Sequence, residues 1–157
     1  MQVRSTWCCI VAWFCALLLP LHAQQAPNQL TLSQLASQAG LIFSGTVLRV
    51  EHVAPATENG IGTVRVTFRI DQGIRGVHTG EWLTIAEWDG LWTSGERYRS
   101  GESLVLFLHA PSGELGLTSP VGGLQGRISL QEAVTATRRP FIRERQLLRN
   151  VRRAARE

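Results

Sequence analysis

The chain has 157 residues, a length that predicts one domain with short appendages. All 16 basic side chains are arginine, and the formal net charge is +4. The excess lies at the end: residues 24–137 hold 7 arginines against 10 acids, a balance of −3, whereas residues 138–157 hold 8 against 2, a balance of +6. The basic total is therefore no reason to expect the folded body to bind nucleic acid.

Residues 1–23 have the pattern of a secretory signal peptide. Arg4 gives a weakly positive start, residues 8–19 form an apolar run, and Pro20 breaks that run before the small Ala23. The run is about half of the ~20 residues that span a bilayer, which favours cleavage after Ala23 over an uncleaved anchor. We expect a secreted or periplasmic protein.

The cysteines all lie inside this predicted signal peptide, at Cys8, Cys9 and Cys15. The mature chain then has no disulfide, no thiol nucleophile and no thiolate metal site. Its core must be stabilised by apolar burial, for which roughly 110 residues are enough.

Residues 24–30 are predicted to be a flexible N-terminus, followed by a short helix. Thr31 and Gln34 match a capping box, and Gly40 suits the residue after the helix. Five segments then have strand patterns. They are residues 41–53, 63–76, 81–88, 102–110 and 123–130. Gly45, inside the first of them, predicts a bulge or a bend.

Five short strands after a helix predict an all-β domain over residues 31–130, either a small closed barrel or a sandwich. Glycines within the strands favour the barrel, because a sheet needs them to curl. Residues 102–110 are apolar enough to form a central strand that is covered on both sides.

Residues 131–157 form a basic tail with a predicted amphipathic helix. Pro140 suits its first position, and Phe141, Leu148, Val151 and Ala155 share one face among eight arginines. This helix could contact a membrane surface, an acidic partner or its own acidic body. Docking on the body, or simple solvation, requires no further molecule and is the favoured interpretation.

The order of motifs resembles that of bacterial exported domains related to the tissue inhibitors of metalloproteinases and to netrin modules. The first strand carries Phe43, Gly45 and Val47; the second carries Phe68, Ile70 and the turn IRGVHTGE. The fourth strand follows the pattern GESLVLF, which matches the family at Gly101, Glu102, Leu106 and Phe107. The resemblance covers about residues 32–130.

That resemblance implies a five-stranded OB-type barrel and a protein partner, with a protease as the partner class. One departure limits it. The eukaryotic inhibitors chelate the protease zinc through an N-terminal cysteine, whereas the mature chain here is predicted to begin at Gln24 with no cysteine nearby. The inhibitory mechanism therefore carries over to no residue of this sequence.

The residues show no catalytic, metal-binding or cofactor-binding pattern. His52, His78 and His109 stand alone, without the spacing of metal ligands. Ser119 lies outside a nucleophile motif and is followed by proline. Glu81, Glu87, Asp89, Glu96 and Glu102 are close in sequence and leave open an exported hydrolase that uses paired carboxylates. Surface acids are far commoner, so we expect no enzyme and no cofactor.

Trp82, Trp88 and Trp92, together with Arg97, suggest a different site. Trp82 and Trp88 share one strand face, and aromatic side chains on the outside of a barrel can stack on sugars. The favoured interpretation is that a terminal helix covers them, because exposed tryptophan lowers solubility.

We therefore expect an exported, non-catalytic protein-binding domain whose partner is another exported protein. The arginine-rich tail could also contact a membrane surface. The alternative is a carbohydrate or cell-envelope binding module that uses Trp82, Trp88, Trp92 and Arg97. Ser119 lies in the glycine-rich loop of residues 111–122, the stretch where a binding surface is expected.

Overall fold

The computed structural model describes residues 29–58, 60–113, 116–131 and 140–157. The predicted signal peptide and most of the predicted flexible N-terminus lie outside these residues. The first element is helix α1 (Leu32–Gln38). Thr31 accepts a hydrogen bond from the backbone N–H of Gln34, and the Gln34 side chain accepts one from Thr31 in return. The predicted capping box is confirmed.

The described residues form a five-stranded antiparallel sheet with two α-helices. Its strands are β1 (Leu41–Val53), β2 (Thr63–Arg75), β3 (Trp82–Trp88), β4 (Ser103–Leu108) and β5 (Arg127–Ser129). They lie in the order β3-β2-β1-β4-β5, so the sheet has two edges and is not closed by its strands. The fifth strand is shorter than predicted, because residues Gly123–Gly126 form a 3-10 helix instead.

Gly45 lies at an irregularity of β1, as predicted. The register between β1 and β2 shifts between Ser44 and Gly45. A β-carbon at Gly45 would lie 2.7 Å from the carbonyl oxygen of Arg69, so only glycine fits this close approach of the strands. Beyond Thr46 β1 leaves β4 and continues beside β2.

Strand β4 is covered on both faces, as its composition predicts. Leu104, Leu106 and Leu108 face a core built with β1, β2 and β3. Val105 and Phe107 face the opposite side, where both helices pack. The sheet therefore separates two apolar layers.

The second helix, α2 (Pro140–Ala154), begins at the predicted proline and docks on the body. Leu148, Val151 and Ala154 are buried in the layer that also contains α1. Arg75, the last residue of β2, donates hydrogen bonds to carbonyls at the C-terminal ends of both helices, those of Ala36, Ala39 and Ala155. A cation is favoured there by the helix dipoles. Of the helices described, none is long and apolar enough to cross a membrane.

After β4, residues 117–121 run between strands β3 and β4. We call these residues the crossing segment. Leu117 forms a parallel bridge with Ala86 of β3, and Pro120 forms an antiparallel bridge with Leu108 of β4. The backbone N–H of Thr118 donates to the Ala86 carbonyl at 2.8 Å. The glycine-rich loop is thus attached to strands at both sides.

Candidate functional site

Two tryptophans stand out from the surface of strand β3. Trp82 is 74% exposed and Trp88 is 51% exposed. They alternate along the strand with inward residues, of which Ile85 is buried in the core. The interpretation that a helix covers these two rings is wrong, because α1 and α2 pack over β4 and the start of β1 instead.

Polar side chains of β2 lie beside these tryptophans. Arg69 is opposite Trp82 in the ladder. Thr67 is opposite Thr84, and their hydroxyl oxygens are 2.9 Å apart. We call this surface the tryptophan face. Its members are Trp82, Thr84 and Trp88 of β3 with Arg65, Thr67 and Arg69 of β2.

The two arginines of the tryptophan face differ in their partners. Arg69 is held by Asp71, with 3.2 Å between Nε and Oδ1. Arg65 is exposed and has no side-chain partner among the residues that the structure describes. It is therefore available to a molecule that lies on this face.

Strand β3 is also an edge of the sheet. Among the isolated bridges that the structure describes, only the one at Ala86 joins the outer side of β3 to the crossing segment. Along the rest of β3, the outward N–H and C=O groups of Trp82 and Thr84 have no strand partner in the described part of the chain. Unpaired N–H and C=O groups at an edge can pair with another strand.

Beneath the tryptophan face, the next residue of β3 that points inward after Ile85 is a glutamate. Glu87 is fully buried. Tyr98 donates from its hydroxyl to Oε1 at 2.9 Å, and Trp92 donates from Nε1 to Oε2 at 3.2 Å. Nε of Arg97 lies 3.3 Å from Oε2 without a hydrogen-bonding geometry, so this ion pair is coulombic. We call these four residues the Glu87 cluster.

Burial dominates the titration of the Glu87 cluster. Loss of hydration raises the pKa of Glu87 above its ordinary value, and Arg97, Tyr98 and Trp92 offset part of that rise. The pKa of Tyr98 is raised well above its ordinary value by burial and by the neighbouring carboxylate. Both carboxylate oxygens already have donors. The cluster thus fixes the loop after β3 to the core.

A shallow cleft of about 500 Å³ opens over one side of the Glu87 cluster. Trp92 and Tyr98 form part of its floor, and His52 lies at its rim with Nδ1 2.9 Å from Oδ1 of Asp89. Two arginines of the rim are each paired with an acid, Arg49 with Glu51 and Arg99 with Glu96. The cleft therefore holds balanced charges.

The structure separates the residues that the sequence grouped together. Trp82 and Trp88 share the tryptophan face, whereas Trp92 is 7% exposed and belongs to the core. Arg97 is almost buried beside Glu87. Ser119 lies in the crossing segment, where its carbonyl accepts from the N–H of His109 at 3.0 Å. No single surface presents all five.

The carboxylates that suggested a possible hydrolase each contact a different partner. Asp89 contacts His52, Glu81 contacts His78, Glu96 contacts Arg99, and Glu102 contacts Arg127. Within the described ranges, no group of three histidines, cysteines or acids could hold a metal ion.

Sequence reasoning missed the Glu87 cluster, although a signal was present. Leu83 and Ile85 alternate with the exposed residues of β3, and Glu87 continues the same alternation. A carboxylate at a core position needs donors, and a tryptophan, an arginine and a tyrosine follow within 11 residues. This combination could have predicted a buried polar cluster.

No protein-family model matches the chain, and none of the curated proteins matches it significantly. The resemblance to metalloproteinase inhibitors therefore stays a prediction.

Proposed function

We propose that this chain is an exported, non-catalytic protein-binding domain and that the tryptophan face is its binding surface. The observation that carries the proposal is the exposure of Trp82 and Trp88, 74% and 51%, on one side of one strand. Large exposed aromatic side chains on a soluble domain are typical of interaction sites. Tryptophan and arginine are also the residues that most often dominate the binding energy of protein interfaces.

The geometry favours a protein partner over a small ligand. Trp82 and Trp88 are six positions apart, which places them about 20 Å from each other along an extended strand. That span suits two anchors within one protein interface better than the walls of a single pocket. Arg65 and Arg69 lie between and beside them on the neighbouring strand. The partner would bury the two rings and pair with the free guanidinium of Arg65.

The open edge of β3 supports the same conclusion. A partner strand could extend the sheet along residues 82–85, where the outer side of β3 has no strand partner among the described residues. The tryptophan side chains would then lie across the added strand. An exported protein is the partner expected, and a protease is the class that the sequence resemblance implies.

We also propose that the sheet belongs to an OB-type barrel. The support is the crossing segment, which hydrogen-bonds to β3 through Thr118 and to β4 through Val121. A parallel contact between the third strand and the chain after β4, together with an antiparallel pair of β1 and β4, would close such a barrel.

A carbohydrate-binding module is the second candidate, favoured by the same exposed rings and the flanking threonines and arginines. Trp92 and Arg97 cannot contribute to such a site, because Trp92 is buried and Arg97 is almost buried beside Glu87. Only Trp82 and Trp88 could stack on a glycan. The hydrolase hypothesis has less support, since Glu87 is buried with both oxygens engaged.

Affinity capture from a periplasmic or culture fraction tests the proposal. The wild-type chain should retain a defined protein that the double variant Trp82→Ala, Trp88→Ala does not retain. The matched control is Leu124→Ala, which removes another large apolar side chain that is 70% exposed. This control should retain the same protein. Glycan binding that the double variant abolishes, without any retained protein, would support the carbohydrate module and refute protein binding.

A further inference from the structure

We propose that the exposed arginine face of helix α2 binds an anionic lipid surface. The arginine face consists of Arg145, Arg149, Arg152 and Arg153 of α2 and Arg156 in the turn that follows. All five are exposed. At 3.6 residues per turn the four helical arginines occupy an arc of about 100°, and the whole row is about 16 Å long.

The face is fixed in place by the docking of the helix. Leu148, Val151 and Ala154 lie in the apolar layer, and Arg75 holds the Ala155 carbonyl. The buried side of α2 is turned roughly opposite to the arginine face. Contact with a membrane would therefore be electrostatic and at the surface, because the apolar side of the helix is already occupied.

Four arginines of this face, Arg149, Arg152, Arg153 and Arg156, form no ion pair with the described acids of the body. Five of those acids are paired with arginines of the body instead, as in Glu87 with Arg97 and Glu102 with Arg127. Among the described residues, Arg149, Arg153 and Arg156 have no side-chain partner. Arg152 donates to the neutral Gln72 at 2.8 Å, which leaves its charge uncompensated. The predicted docking of the tail thus occurs through apolar contacts rather than through charge.

The chemistry of the face fits phosphate headgroups. Arginine presents a planar array of donors that matches phosphate oxygens, and every basic residue of this chain is arginine. A membrane is the source of phosphate that we favour, because residues 8–19 are predicted to direct the chain to one. Each basic residue near an anionic bilayer contributes about 1 kcal/mol of attraction, which makes the four arginines without an ion pair sufficient for reversible binding.

Co-sedimentation with lipid vesicles tests this inference, using the protein purified from cells that express the full chain. The vesicles contain phosphatidylglycerol in phosphatidylcholine, and phosphatidylcholine alone measures binding that does not depend on lipid charge. The test variant is Arg149→Gln, Arg153→Gln, Arg156→Gln. The matched control has the same change of charge at exposed arginines elsewhere, Arg49→Gln, Arg65→Gln, Arg99→Gln.

The wild-type chain should bind the anionic vesicles and lose that binding as salt rises from about 0.05 M to about 0.5 M, where screening is short-ranged. The test variant should bind roughly 100-fold more weakly, and the matched control should stay within about threefold of wild type. Circular dichroism should show equal folding of all three. The Trp82→Ala, Trp88→Ala variant should bind vesicles like wild type, so the two proposals fail separately.

Three results would overturn the inference. The first is equal vesicle binding by the test variant and wild type. The second is an equal loss in both triple variants, which would indicate net charge rather than a defined face. The third is tighter binding to duplex DNA than to anionic vesicles at the same salt concentration, which would assign the face to nucleic acid.

Discussion

The hydroxyl of Tyr98 donates a hydrogen bond of 2.9 Å to Oε1 of Glu87 inside the apolar core. The two residues lie 11 positions apart, and the loop between them carries Trp92 and Arg97, which contact the other carboxylate oxygen. One buried carboxylate therefore fixes the course of the whole loop. Burial of a charge without such partners would be strongly unfavourable.

Tyr98→Phe should destabilise the protein. The substitution keeps the ring contacts with Phe68 and Trp92 but removes a donor from a buried carboxylate. We expect a loss of about 1.5–3 kcal/mol in the free energy of unfolding, measured by urea denaturation. Thr84→Val is the control, since it removes an exposed hydrogen bond to Thr67. An equal, small loss in both variants would contradict the role of the Glu87 cluster.

The Glu87 cluster should also give stability a distinct pH dependence. Burial raises the pKa of Glu87, so the folded protein holds this proton at pH values where the unfolded chain has released it. The contribution of Glu87 is then greatest below the unfolded pKa and falls as pH rises through the folded pKa. The stability of wild type minus that of Glu87→Gln should therefore fall as pH rises above about 4.5. A difference that grows with pH would show that the pKa is lowered instead.

Arg75→Gln should loosen both helices. The guanidinium group contacts the carbonyl ends of α1 and α2, and glutamine is too short and carries no charge. We expect a loss of about 1–3 kcal/mol and faster amide exchange along α2. Arg69→Gln, on the same strand, breaks only an exposed ion pair with Asp71 and should cost at most about 1 kcal/mol. If amide exchange along α2 is unchanged in Arg75→Gln, Arg75 does not hold this helix in place.

Much of this fold was predictable because its signals are local. The capping box at Thr31 and the bulge at Gly45 depend on residue types at fixed spacings. The exposure of Trp82 was not predictable, because it depends on where distant helices pack. The predicted length of the fifth strand, residues 123–130, was too great for a similar reason. Gly123–Gly126 had a strand-like composition, but tertiary contacts bend them into a 3-10 turn.

Amide exchange of the crossing segment tests the proposed barrel. If the segment closes the barrel, the amides of Thr118 and Val121 should be protected to the same degree as those of β4, because their bonds to Ala86 and Phe107 open only with the core. The amide of Gly95, in the loop after β3, is an internal comparison. Exchange of Thr118 as fast as that of Gly95 would indicate an open sheet.

The most direct test of the proposed function is photo-cross-linking at the tryptophan face in the cell that expresses the protein. A photoreactive aromatic residue placed at Trp82 or at Trp88 should form a discrete adduct with one partner protein. The same residue placed at Leu124, which is as exposed but lies away from β3, should not. Adducts at both tryptophans and none at Leu124 are the result that this account predicts. No protein adduct at either tryptophan, or the same adduct at all three positions, would contradict it.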